Sequence, residues 1–231
     1  MLAIVYDIIM KPEIKQDAPR YIVVEGPIGV GKTSLVKRLA ATFGSEVLLE
    51  EAEANPFLER FYQNPRQAAL PAQLFFLLQR ARQTQALRQT DMFQNGRVAD
   101  FLMEKDRLFA EVTLEDDELK LYDQVYRQLT LDIPAPDLVI YLQAPVEVLL
   151  TRIAKRGLGY EKLIESAYLQ RLVDAYARFF HHYDAAPLLM VNATAANFVD
   201  NDKDYNELVE HVHARRSGRH YLNPLPFPLA I

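Results

Sequence analysis

Short apolar runs alternate along the chain with longer stretches in which apolar residues recur every three or four positions. The run "YIVVEG" (21–26) is β-branched and is closed by a glycine, which predicts a strand. The next stretch puts Leu35, Leu39 and Phe43 on one helical face and stops at Gly44. "EVLLE" (46–50) reads as a second strand and "GRVADF" (96–101) as a strand end. The apolar runs 137–143 and 187–193 read as two further strands, the latter the last of the chain. Between them fall helical patterns: a long one over 65–90 that Pro71 should kink or start late, then "EKDRLFAEV" and the amphipathic "EDDELKLYDQVYRQL". After the 137–143 strand comes "PVEVLLTRIAKRG", opened by Pro145 and ended by Gly157, and then "YLQRLVDAYARFFHHYD". Strand–helix alternation of this kind predicts an α/β fold, a mostly parallel sheet with helices on both faces. One domain over 1–231 is expected, with an N-terminal extension (1–19) and an irregular C-terminal tail (215–231) that is basic and then proline-rich.

Composition narrows the class. Half of the 231 residues are apolar, enough for a sizeable core, and the net charge of −5 argues against a general nucleic-acid binder. The absence of cysteine removes disulfides, thiolate metal sites and thiol nucleophiles from consideration. No apolar run reaches the ~20 residues of a membrane span, and the first residues lack a signal-peptide layout. A cytoplasmic protein is the expectation.

"GPIGVGKT" (26–33) matches G-x-x-x-x-G-K-[ST] and stands between a strand and a helix, where a phosphate loop must stand. Gly26, Gly29 and Gly31 let backbone N–H groups turn toward phosphate oxygens, and the helix N-terminus adds partial positive charge. Residues Gly26, Pro27, Ile28, Gly29, Val30, Gly31, Lys32, Thr33 and Ser34 are therefore expected to bind ATP, with Lys32 reaching the β- and γ-phosphates and the Thr33 hydroxyl ligating Mg²⁺. A GTPase would need D-x-x-G and N-K-x-D, and no glycine here is preceded three residues earlier by aspartate. The paired acids of "LLEE" (48–51) imitate a motor ATPase, but nothing else in the chain belongs to that class.

The motifs after the phosphate loop, "LLEEAEANPFLERFYQNP", "AQLFFLLQR", "RVADFLMEKD" and "RIAKRGLGYE", together resemble the deoxynucleoside kinase family, in particular its bacterial deoxyadenosine and deoxyguanosine kinase branch. The resemblance covers roughly residues 20–195. It implies transfer of the ATP γ-phosphate to the 5′-hydroxyl of a deoxyribonucleoside, with a purine expected. It implies Glu50 as general base, a role a carboxylate can fill. Tyr62 and Glu161 match positions that hold the sugar 3′-hydroxyl, and Gln73, Arg80 and Asp106 match positions around the base. Gln73 and Arg80 are two helical turns apart and so share a face. Asp100 matches an acid near Mg²⁺. Arg152 and Arg156, at i and i+4, match lid residues that close over the triphosphate. The family is usually a homodimer through helices packed side by side, a role the helices at 65–90 and 119–130 could fill.

Two departures stand out. Phe101 occupies the place where family members carry an arginine after the acid, and Leu158 stands where the lid often has another arginine. Arg107, Lys105 and Arg80 are open as substitutes for the first. Another small-molecule or monophosphate kinase, or an ATP-binding module that has lost catalysis, are the alternatives.

Overall fold

The computed structural model describes residues 19–88, 96–130, 134–214 and 217–224. At its centre is β1 (Tyr21–Glu25), in which Ile22, Val23 and Val24 are all fully buried. Side chains alternate along a strand, so consecutive buried residues mean that both faces of the sheet are covered. β4 (Leu138–Gln143) shows the same pattern. β3 (Arg97–Ala99) lies on the other side of β1, β2 (Glu46–Leu48) outside it, and β5 (Leu188–Asn192) and β6 (Arg219–Leu222) lie beyond β4. The order is β2-β3-β1-β4-β5-β6, with every pairing parallel. The helices are α1 (Lys32–Phe43), α2 (Leu58–Gln63), α3 (Pro65–Arg88), α4 (Lys105–Thr113), α5 (Asp116–Leu129), α6 (Val146–Arg156), α7 (Ser166–His182) and α8 (Asp202–His213). The α/β class and the parallel sheet are those the sequence pattern predicts.

Four details differ from the pattern. The second strand ends at Leu48 rather than Glu50, because its ladder to β3 stops at the Leu48–Ala99 pair. α3 does not start late at Pro71 but runs through it, forgoing the one hydrogen bond that Pro71 lacks an N–H to make. The 187–193 run is not the last strand, and the C-terminal tail is not irregular throughout. Residues Arg219–Leu222 pair with β5, an edge strand too short and too polar to show a period. Helix α8 precedes it, started by the Asn201 side chain accepting from the Lys203 and Asp204 N–H groups. The extension 1–18, and 215–216 and 225–231 of the tail, lie outside the described residues.

The order reverses at β1, whose neighbours β3 and β4 lead away in opposite directions. A crevice at the carboxyl ends of the strands opens at such a point. A second, smaller core of Leu77, Ala81, Met103, Ala110 and Tyr122 ties α3, α4 and α5 together beside the main one. It carries the polar residues that face the crevice from that side.

Candidate active site

The loop from β1 to α1 borders a cleft of about 1090 Å³ that extends to Gln73, Phe76 and Arg80 on α3. Gly26 has φ +147°, and a Cβ there would lie 2.5 Å from the Leu142 carbonyl oxygen, so only glycine fits. Gly31, at φ +106°, caps α1 without any side-chain partner for the first-turn N–H groups. Those groups have no partner within the helix, which suits them to anionic oxygens. Lys32 donates to the Gly26 carbonyl at 2.7 Å and faces the Pro27 carbonyl at 3.4 Å. Burial, and then the charge of Lys105, lower its pKa to about 8. Residues Ile28 to Ser34 line the cleft. Gly26 and Pro27 do not, and serve instead as the turn and as carbonyl acceptors for Lys32.

Asp100, just past β3, joins the loop to the segment after β2. Its Oδ2 accepts from the Thr33 hydroxyl at 2.7 Å and its Oδ1 accepts from the Glu50 N–H at 2.7 Å. Two further contacts hold the backbone on either side of Glu50. Gln83 donates to the Leu49 carbonyl at 3.0 Å and Gln79 to the Glu51 carbonyl at 3.3 Å. The Glu50 carboxylate thereby turns into the cleft, where Arg80 Nη2 donates to its Oε1 and Lys105 Nζ donates to its Oε2 at 3.1 Å. Glu51 is exposed. Burial pushes the Glu50 pKa up, but Arg80, Lys105 and Lys32 together outweigh it and hold the group at about 2.

Arg80 divides its guanidinium between two acids. Nη1 donates to Asp106 on α4, which is fully buried and does not line the cleft. The second oxygen of Asp106 has no hydrogen-bond partner among the described residues. Burial raises Asp106 from 3.8 to about 6, against the lowering effect of Arg80. Beneath this group lies Glu25, fully buried at the end of β1. Its carboxylate accepts from the Gly26 N–H at 2.9 Å, the Leu102 N–H at 2.7 Å and the Tyr176 hydroxyl at 3.0 Å. Lys105 lies 3.5 Å from it.

At the far end, Tyr62 on α2 stacks on Tyr160 with centroids 6.2 Å apart, and burial raises its pKa well above 10. Glu161 is buried and lines the cleft, but its carboxylate is engaged by Arg156, whose Nε donates at 2.8 Å. Arg152 donates to the carbonyls of Val30 at 3.2 Å, Ala193 at 2.7 Å and Thr194 at 3.3 Å. The two arginines share a helix but not their partners. Arg152 ties α6 to the phosphate loop and the loop after β5, while Arg156 meets the residue expected at the sugar. The donor set suits Mg²⁺. Thr33 and Asp100 offer a hydroxyl and a carboxylate, and no group of three or more acidic or histidine ligands occurs among the described residues. Mg²⁺ is commonly held by one or two protein oxygens with water and substrate phosphates completing the shell.

The profile of the family described as "Deoxynucleoside kinase" matches residues 22–215. The chain belongs to the deoxynucleoside kinase family. It is 36% identical to the deoxyguanosine kinase of Bacillus subtilis (strain 168), over 83% of this chain and 95% of that protein. It is 28% identical to the deoxyadenosine kinase of Lactobacillus acidophilus, over 83% of this chain and 94% of that one. Among solved structures, deoxyadenosine kinase from M. mycoides with bound dATP superposes with a TM-score of 0.71 at 25% identity, covering 81% of this chain and 98% of that one.

Within this family the chain's own departures acquire a structure. Phe101, in the place expected to hold arginine, is 1% exposed and part of the core. Of the three open substitutes, Arg107 faces away on the surface, paired with Glu111 and Asp123. Arg80 and Lys105 both reach Glu50. Glu25, Tyr176, Gln79 and Gln83 were not singled out by the sequence. A charged residue ending a buried apolar strand was the only signal for Glu25, and the glutamines sit on a helix whose face the pattern could not assign.

Proposed function

We propose that the protein transfers the γ-phosphate of ATP to the 5′-hydroxyl of a deoxyribonucleoside, preferring a purine. The observation that carries the reading is a single cleft with the phosphate loop at one end, Gln73 at the other, and the Glu50 carboxylate between them. The purine preference is supported by the 36% identity to a deoxyguanosine kinase.

In this reading the loop N–H groups and Lys32 hold the triphosphate. Thr33 and Asp100 would hold Mg²⁺, which would supply charge neutralisation to the phosphates. Tyr62 and Glu161 hold the sugar 3′-hydroxyl, and Gln73 reads the base edge, with Asp106 fixing Arg80 from behind. Glu50 takes the 5′-hydroxyl proton as that oxygen attacks the γ-phosphorus. Its low pKa makes it a weak base, which suits a loose transition state in which the oxygen keeps its proton until late. Arg152 and Arg156 close α6 over the site. The protein acts as a cytoplasmic homodimer formed through α3 and α5, where Leu78 and Leu121 leave large apolar side chains exposed; sedimentation at the mass of a single chain would refute the dimer. No helix among the described residues is long and apolar enough to cross a membrane.

The test is ADP release from ATP and Mg²⁺ with deoxyguanosine, deoxyadenosine, deoxycytidine and thymidine as acceptors, beside the matching 5′-monophosphates, with the product identified by mass. A deoxynucleoside 5′-monophosphate made fastest from a purine is expected. Turnover only with monophosphate acceptors, or with none, would overturn the reading.

A further inference from the structure

The cations of the cleft are unequally committed. Arg80 is held by two carboxylates, Arg152 by three carbonyls and Arg156 by Glu161. Lys105 is different. It opens α4, is 3% exposed, lines the cleft, and spends a single hydrogen bond on Glu50 at 3.1 Å. Its other acidic neighbour, Glu25 at 3.5 Å, already accepts three hydrogen bonds from elsewhere. An ammonium has three protons to give. Lys105 and Lys32 line the same cleft, and the charge of Lys105 contributes to lowering the Lys32 pKa. Phe101 is locked in the core and cannot supply a cation.

We infer that Lys105 is a catalytic residue of this kinase: it keeps its bond to Glu50 and donates a second hydrogen bond to an oxygen of the phosphoryl group in transfer, filling from the first turn of α4 the place that Phe101 leaves without charge. The inference rests on the kinase reading above. In the step it serves, a 5′-oxygen–phosphorus bond forms and the bond from the γ-phosphorus to the β–γ bridging oxygen breaks. The electron pair leaves on ADP, and the 5′-hydroxyl proton passes to Glu50. Lys105 hydrogen-bonds without transferring a proton. It meets the charge on the equatorial oxygens and keeps the base oriented, both worth more in a water-poor cleft than in solution.

Lys105→Met, Lys105→Arg and Lys105→Ala test this, with thermal unfolding as the check on folding. Loss of one charge-stabilising donor in a preorganised site lowers kcat by about 10²–10³, so Lys105→Met should fall in that range with KM for ATP and nucleoside within a few-fold of the parent. Lys105→Arg should retain a tenth or more. Ethylammonium should restore Lys105→Ala at least tenfold with saturation, while tetramethylammonium, which has no N–H, should not. Lys105→Met within fivefold of the parent, or a folded Lys105→Ala that no primary ammonium rescues, would overturn the assignment while leaving the kinase reading intact. A parent protein that binds ATP yet phosphorylates no deoxynucleoside would overturn both.

Discussion

Replacing Arg80 by methionine keeps most of the volume and removes the cation between two carboxylates. Asp106 has no solvent to turn to. In the parent its pKa is already raised, by burial and despite Arg80, from 3.8 to about 6. The folded state therefore holds this proton more tightly than the unfolded chain. The contribution to stability is complete below pH 3.8 and is lost as pH rises through about 6. At pH 7 keeping Asp106 ionised in the parent costs about 3 kcal/mol. Without Arg80 its pKa climbs further, but the cost has a ceiling, because a carboxyl whose pKa exceeds the ambient pH takes up a proton instead. At pH 7 that ceiling is about 4 kcal/mol, so the variant loses only about 1 kcal/mol more than the parent through Asp106. The ceiling rises by about 1.4 kcal/mol per pH unit, so at pH 8 the extra loss is roughly 2–3 kcal/mol, and at pH 6 it nearly vanishes. A pH-independent loss of about 1–3 kcal/mol is added for the missing charged hydrogen bonds. Glu50 does not disturb the trend, since Lys105 and Lys32 remain to keep it ionised above pH 6. Urea unfolding of both proteins without ligand, at pH 6, 7 and 8 and fixed ionic strength, measures the difference. It should widen by about 1.4 kcal/mol between pH 7 and 8. A difference flat from pH 6 to 8 would show that Arg80 does not neutralise Asp106, and the buried pairing would be refuted.

Three further outcomes are expected. Glu50→Gln should lower kcat by roughly 10²–10⁴ with nucleoside KM little changed, whereas Glu51→Gln, exposed and outside the network, should stay within about tenfold of the parent; steady-state kinetics in which Glu51→Gln is the worse variant would assign the base to the wrong residue. Gly31→Ala carries only the strain of its positive φ, about 1–3 kcal/mol, while Gly26→Ala adds a clash with the Leu142 carbonyl, so thermal unfolding should rank Gly26→Ala below Gly31→Ala. Gln73→Ala should cost about 1–3 kcal/mol in kcat/KM for the nucleoside and leave KM for ATP unchanged; a shift in ATP affinity instead would put α3 on the donor side of the cleft.

How much of this was legible in the sequence depends on the range of the interaction. The phosphate loop is local: eight consecutive residues fix its turn, its cation and its hydroxyl, and strand and helix flank it as the pattern requires. The central strands are legible because Ile22 to Val24 and Leu138 to Leu142 are apolar on both faces. Glu50 is harder. Its direction is set by Asp100, Gln79 and Gln83 from two other elements rather than by strand alternation, since the ladder of β2 ends two residues earlier. The choice among Arg80, Lys105 and Arg107 was illegible for the same reason. Lys105 and Arg107 are neighbours on one short helix, and only its packing among α3, α5 and α7 sends the first inward to Glu25 and Glu50 and the second to the surface beside Asp123. The β6 strand has too few apolar positions to announce itself, whereas α8 repeats Tyr205, Leu208, Val209 and Val212 at helical spacing, a signal that was legible and went unread.

The guanidinium of Arg80 has a consequence for anyone who wishes to change what this protein accepts. Because one planar group answers to both Asp106 and Glu50, a substitution at position 106 that moves Arg80, which lines the cleft, is also felt at Glu50, the carboxylate proposed to take the 5′-hydroxyl proton. Selectivity and turnover are therefore not independent dials on α4. Gln73 lines the cleft two turns away and, among the described residues, makes no hydrogen bond to Arg80, Asp106 or Glu50. Diversifying position 73 first, and leaving 80 and 106 as a fixed pair, is the route along which new acceptors can be explored without dismantling the chemistry.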